Sequence, residues 1–263
     1  PTSFSFYEKW YPAYYKAIIR SERVTVTGNS ELGNTSYQDW LTLPAGKIKL
    51  LRNGVDFSQY RKASDSEMVQ LKENLGLVEG EQLIGGIFRF SPEKRPLLFI
   101  DVIDKIVSQQ RNVKCFILGD GPMRKEMEKR IASLGLQQNL KLVGNVSQVS
   151  PYICIADVIL QTSEAEGTAN SILEAQYLEK PVVITAAGGA SESISPDKTG
   201  FLIHTDQAST IAEKVIEVLS DPEKAKKMGQ AGKKFVEQIY SLNTAVNFIC
   251  QYIPLRPSNL NME

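Results

Sequence analysis

Between residues 82 and 204 the chain alternates short unbroken apolar runs with longer stretches whose apolar positions recur every three or four residues. The unbroken runs, at 82–88, 113–118, 140–143, 158–161, 181–185 and 201–204, predict strands covered on both faces, because a strand with one wet face alternates polar and apolar positions. The stretches between them predict helices at 96–110, 122–134, 149–155, 170–178 and 191–194. Upstream, strands are expected at 23–27 and 47–51. A helix headed by Asn29-Ser30 should run to 41, and a second should run from Ser64 to a glycine cap at Gly76. Downstream, helices are expected at 209–219, 223–229 and 233–252, with Gly229 ending the second of them. Alternating strand and helix predicts an α/β protein, a parallel sheet with helices on both faces.

Composition narrows the partners. Thirty basic and thirty acidic side chains leave a formal net charge of zero, so no global field draws in nucleic acid, and any anion must be held by local donors. Cys115, Cys154 and Cys250 are odd in number, far apart and set among apolar residues, which predicts buried free thiols of a reducing compartment. A cytoplasmic setting is expected, since no apolar run reaches membrane-spanning length and no secretory leader is read. The first fifteen residues hold Phe4, Phe6, Tyr7, Trp10, Tyr11, Tyr14 and Tyr15. Such density predicts packing against a body or a further domain, and leaves open a peripheral contact with the inner face of a membrane.

The chemistry gathers at one edge. In an open parallel sheet ligands bind beyond the carboxyl ends of the strands. Those ends carry Arg89, Lys94 and Arg95; then Gly119-Asp120-Gly121; then Gly144-Asn145-Val146; then Glu166 through Glu174; then Gly188-Gly189 and Glu192. Arg89 and Lys94 suit a diphosphate, and a strand, a small-residue turn Gly167-Thr168-Ala169-Asn170 and a helix start suit an anion. Structural readings stand beside these. Ser171-x-x-Glu174 fits a capping box, Glu166 a solvated loop acid, and Lys94 and Arg95 a solvated loop, Arg95 more so. His204, the lone histidine, reads as structural. With scattered cysteines it offers no zinc site, so no metal is expected.

Taken in order, several pieces resemble the nucleotide-sugar-binding half of GT-B glycosyltransferases, specifically the retaining glycosyltransferase family four. These are Asn53-Gly54-Val55-Asp56, Gly86-Ile87-Phe88-Arg89 with Pro92-Glu93-Lys94, Gly119-Asp120-Gly121-Pro122, Leu142-Val143-Gly144, the stretch from Glu166 to Glu174, Gly188-Gly189-Ala190-Ser191-Glu192 and Thr199-Gly200-Phe201-Leu202. The resemblance covers residues 45–250 and implies a Rossmann-like sheet. It also implies roles. Arg89 and Lys94 would hold the donor diphosphate, Glu166 the sugar hydroxyls and Glu174 the ribose. Gly167, Thr168, Ala169, Asn170 and Ser171 would lie against sugar and phosphates, with Gly119, Asp120, Gly144 and Val146 around the rest of the donor. No cofactor or metal is implied, and UDP-sugar is favoured over GDP-sugar as donor.

Two Rossmann-like domains need roughly 300 residues. Residues 1–46 are therefore expected to be the remnant of an acceptor domain, 47–240 the donor domain and 241–263 a C-terminal helix and tail. Such a fragment should bind nucleotide and transfer poorly alone; a glycan or lipid-linked acceptor belongs to the missing domain. A non-catalytic nucleotide-sugar-binding module and a sugar-nucleotide epimerase are the alternatives.

Overall fold

The computed structural model describes residues 10–21 and 24–252, which leaves Phe4, Phe6 and Tyr7 of the aromatic cluster outside the described residues. Contacts divide the chain into two units, Pro1–Asp56 with Gln238–Glu263, and Phe57–Glu237.

In the first unit, α1 (Tyr11–Arg20) and α2 (Glu31–Trp40) accompany two short parallel strands, β1 (Val26–Gly28) and β2 (Ile48–Leu50). Ser30 caps α2, accepting from the Gly33 amide at 3.1 Å, as the Asn29-Ser30 signal predicts. Ile19, Leu41 and Ile48 form a small core, and Tyr15 packs beside Trp40. Trp10 and Tyr14 are more than half exposed. The sequence reading began the donor domain at residue 47. Here β2 pairs with β1, which keeps residues 48–50 with the first unit.

The second unit is built on six parallel strands: β3 (Gln82–Ile87), β4 (Val113–Leu118), β5 (Leu140–Gly144), β6 (Val158–Gln161), β7 (Val182–Thr185) and β8 (Gly200–Ile203). Their order is β5-β4-β3-β6-β7-β8. Side chains alternate between two cores, which is why the strands read as unbroken apolar runs. Ile84, Ile117, Val158, Leu160 and Val183 face one way, against Phe99, Ile103 and Ile106 of α4 (Pro96–Gln109) and Ile211 and Val215 of α8 (Ala208–Ser220). Leu83, Phe116, Leu118, Ile159 and Ile184 face the other way, against Ile153 of α6 (Ser150–Ile155) and Ile172 of α7 (Asn170–Tyr177). α3 (Asp65–Leu75) opens on a capping box between Ser64 and Glu67 and closes on a left-handed Gly76. α5 (Arg124–Ser133) connects β4 to β5.

Two expectations change at the C-terminus and at the thiols. The helices expected at 223–229 and 233–252 are instead α9 (Pro222–Tyr240), unbroken through Gly229, and α10 (Leu242–Tyr252). Cys115 is buried, but Cys154 is half-buried and Cys250 exposed; all three are free. Among the described residues no helix is long and apolar enough to cross a membrane.

Candidate functional site

The strand order reverses between β3 and β6: from β3 the chain winds outward through β4 and β5, and from β6 through β7 and β8. Loops that leave neighbouring strands in opposite directions open a crevice at the carboxyl edge. The two loops that flank it carry Arg89, Lys94 and Glu166.

Across that gap Lys94 forms an ion pair with Glu166, with side chains 21% and 10% exposed. Glu166 Oε1 also accepts from Gln161 Nε2 at 2.5 Å and from Ser163 Oγ at 2.7 Å. All three donors converge on one oxygen. Gln161 is buried, and its own carbonyl oxygen has no hydrogen-bond partner. Gly188, at φ +52°, lets the turn after β7 come close: a β-carbon there would sit 2.9 Å from the Glu166 carbonyl oxygen. The Gly189 amide donates to that same oxygen at 3.0 Å.

Arg89 is exposed at the end of β3 and lines a hollow of about 380 Å³ with Gly119, Asp120 and Val146. Gly144 closes β5 beside it, accepting from the Gly119 amide at 2.9 Å. Glu93 links the two groups. Its carboxyl is held below the ordinary range by the Ser91 hydroxyl, which donates at 2.6 Å, with Lys94 and Arg89 adding favourable charge against the cost of burial.

Glu174 lies on α7, which begins at Asn170 with Ala169 as an uncapped N-cap. Ser171 is therefore inside the helix and the capping box is not formed. Glu174 Oε1 instead accepts from the Tyr60 hydroxyl at 3.0 Å. Burial pushes its carboxyl above the ordinary value, and the Tyr60 hydrogen bond partly offsets this. Gly167 and Asn170 are exposed, Thr168 and Ser171 half-buried and Ala169 buried along the turn between the two glutamates.

Arg95 is not the solvated loop residue expected. Its side chain is 19% exposed, and its guanidinium donates to the Thr162 and Ser163 carbonyls at 2.8 and 3.0 Å. Sequence reasoning also missed Tyr60, Gln161 and Ser163 as partners of the two glutamates. Gln161 and Ser163 carried a signal, being polar residues that end a buried strand; Tyr60 carried none. Among the described residues no cluster of three or more histidines, cysteines or carboxylates could hold a metal ion.

A doubly wound sheet opens its ligand crevice where the strand order reverses, and the Lys94–Glu166 pair stands at that point. The family of glycosyl transferases group 1 matches residues 68–235, and the chain belongs to it. The sheet is the Rossmann-like half of a GT-B fold. Anabaena Alr3699/HepE, solved in complex with UDP, is similar at 26% identity with a TM-score of 0.79, over 87% of this chain and 63% of that one. The Vi polysaccharide biosynthesis protein VipC/TviE of Salmonella typhi is 28% identical over 78% of this chain and 37% of its own length. The N-acetyl-alpha-D-glucosaminyl L-malate synthase of Bacillus anthracis is 27% identical over 89% of this chain and 59% of its own. The chain thus spans about half the length of these curated relatives.

Proposed function

We propose that this chain is the donor-binding half of a retaining glycosyltransferase. It grips a nucleoside-diphosphate sugar and, within a longer protein, presents it for transfer to an acceptor with the anomeric configuration kept. The observation that carries the reading is the Lys94–Glu166 pair across the gap where the strand order reverses. Arg89 and Lys94 hold the diphosphate, and the Glu166 carboxylate takes the sugar hydroxyls. Glu174 takes the ribose diol, and the turn from Gly167 to Ser171 lies against sugar and phosphates. Gly119, Asp120, Gly144 and Val146 border the remainder.

Cleavage of the sugar–phosphate bond leaves negative charge on the departing diphosphate. Cations fixed beside it stabilise the transition state more than the ground state, and losing one such donor typically costs about 10²–10³ in rate. In the retaining course the acceptor attacks from the face the phosphate leaves, and a phosphate oxygen takes the acceptor's proton. The two cations meet the donor's charge, so this reading calls for no metal and no cofactor.

UDP is favoured as the nucleotide. Support comes from the Anabaena neighbour, solved with UDP and with UDP-glucose. The acceptor, a glycan or a lipid-linked sugar, belongs to a domain of which the residues ahead of the donor sheet are the end. The relatives' greater length supports that division. The setting is the cytoplasm, where nucleotide sugars are held. Neither alternative weighed from the sequence, a binding module without catalysis or an epimerase, is favoured by these relatives.

Calorimetric titration with UDP tests the reading. The chain should bind UDP, and Glu174→Ala should weaken it about tenfold, the loss of one charge-assisted contact. Unchanged affinity would leave Glu174 only a structural partner for Tyr60.

A further inference from the structure

Arg95 lies one residue past the lysine of the site, yet the roles above make no use of it. Its backbone is left-handed, at φ +48° and ψ +54°, a region where glycine or asparagine sits at lower cost than arginine. The side chain offers a reason for arginine there. Nε donates to the Thr162 carbonyl at 2.8 Å and Nη2 to the Ser163 carbonyl at 3.0 Å, while Nη1 pairs with Asp206 at 2.5 Å. Thr162 and Ser163 are fully buried and directly follow β6.

The lacing runs both ways. The Thr162 hydroxyl is shared between the Lys94 and Arg95 carbonyls at 3.3 and 3.2 Å, and the Glu164 amide donates to the Glu93 carbonyl at 2.8 Å. Residues 93–95 are thereby fastened to residues 162–164. Lys94 stands inside the first fastened segment, and Glu166 follows two residues beyond the second.

We infer that Arg95 is a positioning residue of the donor site: its guanidinium ties the loop after β3 to the loop after β6 and so sets the register in which Lys94 and Glu166 meet a nucleotide sugar. The inference rests on the donor-site reading. A planar fork is needed because two adjacent carbonyls and a carboxylate lie around one group, and an ammonium would answer them from a single point.

The test uses UDP and UDP-glucose as probes in calorimetric titrations. Arg95→Gly suits the backbone at this position and removes only the fork. It should bind UDP-glucose about tenfold more weakly than wild type. Millimolar guanidinium added to the solution should restore most of that loss, and should restore nothing to Lys94→Ala. Either an unchanged affinity or a loss that guanidinium leaves in place overturns the inference. Should the glycine variant fail to fold, Arg95→Lys replaces it. Affinity about tenfold down with an unaltered melting temperature supports the role, and wild-type affinity removes it. Wild-type protein that binds neither probe fails at the donor reading itself, and the role of Arg95 falls with it.

Discussion

Glu166 and Glu174 are the same residue type, eight positions apart, in opposite environments. Glu166 is surrounded by donors: an ammonium, an amide and a hydroxyl on one oxygen. Glu174 has a phenol as its donor, and burial raises its pKa. A raised carboxyl favours folding while it is protonated, and that contribution is lost as pH rises from the ordinary carboxylate range through the folded value. Glu174→Gln should therefore melt at a higher temperature than wild type near neutral pH, with the gap closing below the ordinary range; thermal melts across pH read this directly. Arg89, Lys94 and both glutamates stood out in the sequence as charged residues on the stretches that follow apolar strands. Their partners did not. Lys94 and Glu166 are 72 residues apart, and Tyr60 and Glu174 are 114 apart, so only folding pairs them.

At the scale of elements, β4 and β6 fall on the residues their apolar runs mark, 113–118 and 158–161. Ser30 and Gly76 cap the helices they were expected to cap, and Ser64, read only as a helix start, caps α3, since capping is local chemistry. The error at the C-terminus has a packing cause. Gly229 reads as a helix end, but α9 passes straight through it because the helix lies against the chain after α7. A β-carbon on Gly229 would sit 1.9 Å from the Glu179 carbonyl oxygen. Alanine for glycine inside a helix ordinarily gains about 1 kcal/mol. At Gly229 the sign should reverse, and Gly229→Ala should lower the denaturant midpoint; a raised midpoint would mean that the contact with Glu179 yields without cost.

For the molecule as a whole, the sheet of the second unit carries a buried core on each face, and its carboxyl edge is left to the loops. Ligand gripped there binds the folded chain and not the unfolded one. UDP at about a hundred times its dissociation constant should then stabilise the chain by about 2.7 kcal/mol, read as a rise in melting temperature. GDP at the same concentration should raise it less if UDP is the nucleotide selected. Equal shifts would remove the preference while leaving the site.

The sequence by itself determined the strands, most of the helices and the edge at which the charged residues gather. Each follows from the period of apolar positions and from local turn and cap chemistry, which act over a few residues. Tertiary structure alone decided the strand order and the reversal between β3 and β6, and with them the pairing of Lys94 with Glu166. It alone turned Arg95 inward to the Thr162 and Ser163 carbonyls. These depend on which distant segments pack side by side, and an apolar run carries the same pattern whichever neighbour it takes.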